Sequence, residues 1–198
     1  MTDSLALSPD AQALLFRDAR TANTFTDEPV TDEQVAAIYD LVKHAPTAMN
    51  TQPLRIVLVR EGDARERLLK VMADGNRDKT ANAPLVAILA ADTDFHDQLP
   101  RTFPHFPGAK DAFADPVRRE QAARFNATLQ IGYFLMGVRA AGLAAGPMGG
   151  FDAAGIDEDF HAGTTQKTFM VVNIGKPGEN PWFPRLPRLD YEAATTTL

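Results

Sequence analysis

The sequence predicts a single α+β domain, and three observations carry that prediction. The chain has 198 residues, 44% of them hydrophobic, without strong compositional bias, which is one ordinary globular domain able to bury a core without covalent staples. Capped helical patterns alternate with short runs of branched apolar residues. A long helical pattern crosses the second half of the chain, and no linker or internal repeat divides the sequence.

Ser8-Pro9-Asp10 sets an N-cap before proline at the first helical position, and Leu14, Leu15 and Phe16 carry a short helix to about Arg17. Arg20 to Pro29 reads as a loop. Thr31 and Gln34 form a capping box, after which Val35, Ile38, Leu41 and Val42 keep helical spacing as far as His44. Pro46 through Pro53 is irregular, and Leu54 to Val59 is a compact strand. Asp63 to Ala73 is a helix with Gly75 as its expected stop, and Leu85 to Ala90 is a second apolar strand. From Asp94 to Asp115 several prolines and aromatics have no usable period, as in a long functional loop, an excursion or lid.

Asp115-Pro116 caps a helix expected to run to about Gly142, roughly 38 Å at 1.5 Å per residue. From Ala127 onward it is apolar nearly all round, more than a domain of this size covers easily, so part of it is expected to pack against another subunit. Leu143 leads through a short extended piece into Gly146-Pro147-Met148-Gly149-Gly150, and Phe169 to Ile174 is a third apolar strand. Prolines at 177, 181, 184 and 187 make the segment from about 176 to 198 an extended tail.

Composition narrows the chemistry. With 20 Lys and Arg against 26 Asp and Glu, the net charge is −6, which argues against a nucleic-acid partner. MTDSLALSPDAQ has neither the basic nor the long apolar region of a signal peptide, and Gln130, Arg139 and three glycines interrupt the most apolar stretch, so a cytoplasmic protein outside the membrane is expected. There is no cysteine, and the two serines, Ser4 and Ser8, stand at the extreme N-terminus. Thiol chemistry and a core serine nucleophile are thereby set aside, and a cofactor is expected to supply the reactive group. His44, His96, His105 and His161 lack metal-ligand spacing, so no metal is expected, and the glycine-rich segments match neither a dinucleotide fingerprint nor a phosphate loop.

Three polar segments remain. Arg20-Thr21-Ala22-Asn23-Thr24-Phe25 offers a cation, a hydroxyl and an amide, suited to a phosphate or polyol chain or simply to a solvated loop. Pro46-Thr47-Ala48-Met49-Asn50-Thr51-Gln52-Pro53 sets amides in a rigid turn, either facing a planar heterocycle or only joining helix to strand. Arg185 and Arg188 hold two guanidinium groups, the side chain best matched to a phosphate dianion, on an extended segment.

Together with Gly-Pro-Met-Gly-Gly after the long helix, these segments resemble the FMN-dependent nitroreductase family along essentially the whole chain. The runs Ala19 to Phe25, Gly75 to Thr80 and Gly146 to Asp152 look most like its branch of malonic semialdehyde reductases associated with pyrimidine breakdown. The resemblance implies an α/β three-layer fold with a mostly antiparallel central sheet, forming an intertwined homodimer with two FMN sites in the subunit interface. It also implies ping-pong hydride transfer through flavin N5, with NADH or NADPH as a transient donor and no catalytic side chain.

Position by position, Arg20, Thr21, Arg185 and Arg188 match the family's phosphate and ribityl contacts. Pro46, Thr47 and Ala48 match the turn wrapping the cofactor, and Asn50 and Gln52 its polar members. Asn76 matches an amide contact to the ring, and Gly149 and Gly150 match the turn facing N5. Asn23 departs from a position that is often Lys or Arg, and Lys79 is the candidate to compensate. Arg101, Phe103, His105 and Lys110 in the excursion are substrate candidates, with a surface lid or plain packing as the alternative. Three functions follow: reduction of malonic semialdehyde to 3-hydroxypropanoate, broad nitroaromatic or quinone reduction, or flavin binding or storage without turnover.

Overall fold

The computed structural model describes residues 5–198, so Ser4 and the first four residues of the segment read for a signal peptide lie outside the described residues. Helix α1, Pro9–Gln12, begins where the Ser8 hydroxyl accepts from Ala11 N, and it runs on into a wide π-type turn, Ala13–Arg17. Helix α2, Asp32–Val42, has the complete capping box, with Gln34 N donating to Thr31 Oγ1 at 3.2 Å and Thr31 N to Gln34 Oε1 at 2.9 Å.

Strand β1, Leu54–Val59, is followed by α3, Asp63–Val71, and α4, Asp74–Ala81. The expectation of one helix stopped by Gly75 is corrected here. The break falls at Met72, which is extended, buried and bridged to Phe151, while Gly75 sits in the first turn of α4. Tertiary pairing of Met72 ends α3, and the polar run Asp74–Ala81 shows no apolar stripe that would have disclosed a second helix.

Strand β2, Leu85–Asp92, precedes the excursion, which is a chain of short turns with α5, Leu99–Thr102, among them. It is anchored: Phe95, Leu99, Ala109 and Phe113 are buried against Ala123 and Ala127. Helix α6, Pro116–Ala140, starts where Asp115 Oδ1 accepts from Arg118 N at 2.7 Å. The short extended piece is strand β3, Ala144–Met148, and α7, Ala153–Phe160, capped by Asp152, leads to β4, Gln166–Gly175. The tail, residues 176–198, is irregular save for one turn of helix, α8, Tyr191–Ala194.

The strands form one antiparallel sheet in the order β1-β2-β4-β3. Alternation along β2 sends Leu85, Ala87 and Leu89 into a core with Ile38 and Val42 of α2 and Ile131, Phe134 and Val138 of α6. Val86 and Ile88 face Leu68 of α3 and Ile156 of α7. Burial on both faces explains why β2 reads as an unbroken apolar run, and it makes the fold three layers, helices on each side of a sheet. At Gly137 a Cβ would lie 2.3 Å from Val42 Cγ1, so α6 approaches α2 more closely than any side chain permits. Phe125, Leu129 and Tyr133 of α6 are exposed. Among the described residues no helix is long and apolar enough to cross a membrane.

Candidate functional site

The loop carrying Arg20, Thr21 and Asn23 is held between strand β3 and the tail. Ala22 N donates to Ala145 O at 3.4 Å, and Gly146 lets the strand approach, because a methyl there would meet Ala22 O at 2.9 Å. On the other side Asn23 N donates to Pro181 O at 3.0 Å and Thr24 Oγ1 to Glu179 O at 2.7 Å. Arg185 is brought to this loop, donating through one nitrogen to Arg17 O at 2.6 Å and Ala19 O at 3.2 Å. Arg188 is not; among the described residues its guanidinium donates only to Leu186 O and Pro187 O.

Arg20 and Thr21 are exposed, and among the described residues the Arg20 guanidinium has no ion pair or hydrogen bond. It lines a cavity of about 400 Å3 with Asp18, Arg139 and Trp182. Burial pushes the Arg139 guanidinium below its ordinary range.

The same edge of the sheet receives α4. Asn76 Nδ2 donates to Gly150 O at 2.9 Å, and Ala73 N donates to that carbonyl at 3.1 Å, so the turn after β3 is clamped to the start of the helix. Gly149 is open, with no atom within 4 Å of where a Cβ would stand. Lys79 is half-buried on α4; its carbonyl accepts from Asn173 Nδ2 at 3.0 Å, and Asn173 pairs with Gly146. Asn23 spends its side chain on a long contact, 3.5 Å, to Thr21 O.

The Pro46–Pro53 turn is elsewhere. It precedes β1, at the opposite sheet edge from β3, three inter-strand steps or about 14 Å away. Met49, Asn50 and Gln52 have φ of 51°, 51° and 44°, a left-handed conformation that the surroundings must hold in place. Gln52 Nε2 donates to Asn50 Oδ1 at 2.8 Å, Gln52 N to Thr47 Oγ1 at 3.2 Å, and Ala48 N to Asn126 Oδ1 at 2.7 Å.

Three supporting residues were not identified from the sequence. Asn126 and Gln130 of α6 accept from Ala48 N and Leu54 N, and Arg55 donates to Gln52 O at 2.9 Å while pairing with Asp92 at 2.7 Å. Gln130 had left a signal, a polar break in an apolar helix.

The excursion separates its four candidates. Lys110 is paired with Asp97 at 2.6 Å, and its hydrogen bond holds the Asp97 carboxyl below the usual carboxylate range. His105 is exposed and packs on Phe103, ring centroids 3.9 Å apart. Arg101 is exposed and, among the described residues, unpaired, at a cavity beside Asn50 and Gln52.

The sequence-selected residues thus form two half-sites. One, at the β3 edge, joins Arg20, Thr21, Asn23, Asn76, Lys79, Gly149, Gly150 and Arg185. Among the described residues the Arg20 and Arg185 guanidinium groups have no ion pair, although Asp10 and Asp18 also line the Arg20 cavity, and the open Gly149 leaves room for a ring, so the donors fit a phosphorylated, ring-bearing molecule. The other, at the β1 edge, holds Pro46, Thr47, Ala48, Asn50 and Gln52.

The nitroreductase family model matches residues 17–176. A Streptomyces griseus protein with the provisional name NADH dehydrogenase/NAD(P)H nitroreductase is 65% identical over 98% of this chain and 100% of its own length. A Leptothrix cholodnii protein of the same name is 46% identical over 99% and 98%. Among solved structures, a nitroreductase-type protein of Bacillus subtilis superposes with a TM-score of 0.82 at 23% identity, covering 93% of this chain and 97% of the other. One from Exiguobacterium sibiricum, solved in complex with FMN, gives 0.83 at 17% identity, covering 96% and 98%. With the family pattern spanning the loop at Arg20, the central helix and the Gly149-Gly150 turn, and with full-length relatives this similar, the chain belongs to the nitroreductase family.

Proposed function

We propose that this protein is an FMN-dependent NAD(P)H oxidoreductase, that it works as an intertwined homodimer, and that its acceptor is malonic semialdehyde, reduced to 3-hydroxypropanoate. The observation that carries the reading is the gathering of Arg20, Thr21, Asn76, Gly150 and Arg185, far apart in sequence, at one sheet edge.

In this reading Arg20 and Arg185 hold the cofactor phosphate, with Arg188 joining them only if the tail rearranges. Thr21 and Asn23 meet the ribityl chain, Asn76 and Lys79 the pyrimidine edge, and the backbone of Gly149 and Gly150 the ring. Bound FMN supplies two-electron hydride chemistry, so the chain needs no nucleophile of its own. What the protein contributes is orientation, exclusion of water and a positive potential at the pyrimidine edge, where Lys79 stands in for the missing cation at Asn23.

The half-site at the β1 edge lies across the sheet from the first and is assigned to the cofactor of a second copy. Exposed apolar side chains support such a copy: Phe125, Leu129 and Tyr133 on α6, Tyr39 and Leu41 on α2, and Phe183, Leu186 and Leu189 in the tail. The specific acceptor rests on the runs Ala19 to Phe25, Gly75 to Thr80 and Gly146 to Asp152, which are neighbours around β3.

The names of the relatives favour a second reading, a nitroaromatic or quinone reductase of broader range. Steady-state rates with the semialdehyde and with a nitroaromatic separate the two, and a far higher kcat/KM for the nitroaromatic would reject the first. The third reading, storage without turnover, fails if NADPH bleaches the bound flavin under anaerobic conditions.

A further inference from the structure

Beside the Asn50 turn lies a polar cavity of about 420 Å3 whose walls include Tyr39, Asn50, Thr51, Gln52, Arg55 and Arg101, with no carboxylate among the residues that line it. Its two cations differ. Arg55 is compensated, 2.7 Å from Asp92 Oδ2 and donating to Gln52 O and Leu54 O. Arg101 has no ion pair and no hydrogen bond among the described residues. The amides of Asn50 and Gln52 are bonded to each other.

The cavity therefore has an uncompensated guanidinium and no anion among the residues that line it. Arg101 is also well registered. It lies on α5, and Asn50 Nδ2 donates to Thr102 O on that same turn at 2.7 Å, tying the guanidinium to the segment assigned to the cofactor. The other excursion candidates lack this freedom, since Lys110 is paired with Asp97 and His105 packs on Phe103.

We infer that this cavity is the carboxylate subsite for a short acid that carries the reducible carbonyl, with Arg101 as its anchor. The inference rests on the proposed oxidoreductase and two-chain reading, because Asn50 and Gln52 place the cavity beside a ring only if their half-site serves the cofactor of the second copy. A planar guanidinium takes a carboxylate by two parallel hydrogen bonds, fixing the orientation of a small acid as well as holding it. Uncharged acceptors gain nothing from it.

The test uses FMN-loaded protein and propanoate, a short acid with no carbonyl or hydroxyl to react, titrated calorimetrically into the wild type, Arg101→Gln and Arg101→Lys. FMN content and thermal midpoint monitor folding, and NAD(P)H turnover of an uncharged quinone is the kinetic reference. Arg101→Gln is expected to weaken the carboxylate by about ten- to a hundredfold, at least tenfold more than it changes kcat/KM for the quinone, with Arg101→Lys intermediate. Equal affinity in all three proteins, no binding to the wild type, or a parallel loss for acid and quinone overturns the inference. A wild type that turns over the quinone but ignores the acid overturns the subsite alone. A wild type that takes up no FMN, or turns over nothing with NAD(P)H, overturns the oxidoreductase reading.

Discussion

Asn76 donates through Nδ2 to the carbonyl of Gly150 at 2.9 Å, and a methyl group on Gly150 would stand 2.6 Å from that same nitrogen. Helix α4 and the turn after β3 are thus in contact at a spacing where an added methyl would force the Asn76 amide to swing away. Gly150→Ala should cost about 1–3 kcal/mol in urea unfolding, through a lost hydrogen bond and overpacking. Gly149→Ala, with nothing within 4 Å, should cost clearly less. Equal costs for the two variants would show that this contact does not hold the turn.

Arg65 is buried and among the described residues has no ion pair, donating instead to Thr80 O at 2.7 Å, Ala83 O at 2.8 Å and Val59 O at 2.8 Å. Burial pushes its guanidinium below the ordinary range, but the carbonyls at the end of α4 and the end of β1 depend on it. Arg65→Leu should destabilise the fold by about 2–4 kcal/mol, since several buried carbonyls lose a charged donor. A change below 1 kcal/mol in equilibrium unfolding would mean that water replaces the guanidinium at little cost.

His161 is buried, and desolvation holds its imidazole below the ordinary value of 6.5, with Asp157 opposing the shift and Lys167 adding to it. The fold therefore favours the neutral ring. As pH falls through about 6.5 the unfolded chain takes up the proton first, so stability declines from there until the folded pKa is passed. Unfolding free energies at pH 7.5 and 5.5 should differ more for the wild type than for His161→Gln. An equal difference in both would remove His161 as the source.

Leu129 and Tyr133 stand one turn apart on the exposed face of α6. If a second copy covers them, Leu129→Glu should shift sedimentation from dimer to monomer and release FMN in proportion, because each cofactor would lose its β1-edge half-site. A monomeric wild type that retains FMN would refute the two-chain site.

Much of the fold was legible where local chemistry is decisive. The capping box at Thr31, the Asp115 cap and the continuous apolar run of β2 are read directly from residue types. What escaped was set by tertiary contact: Met72 ends α3 by bridging Phe151, and β3 is a strand only because β4 pairs with it. In the candidate site, the residue types were legible in the motifs, but their division between two sheet edges was not, since spacing along the chain does not say which edge a segment reaches. The supporting roles of Asn126, Gln130 and Arg55 were hidden for a related reason. Asn126 and Gln130 serve the backbone of residues 78 and 76 positions away, and Arg55, whose acceptor Gln52 is only three positions off, is held by Asp92 on the neighbouring strand.

The central claim, that the β3-edge cluster holds a flavin through which NAD(P)H reduces an acceptor, is tested most directly by the visible spectrum of the purified protein during anaerobic addition of NADPH or NADH. The account predicts bound FMN whose blue-light absorption bleaches on addition and returns when an acceptor is supplied. A protein that stays colourless after reconstitution with FMN, or one whose bound flavin keeps its absorption in the presence of either nucleotide, would contradict it.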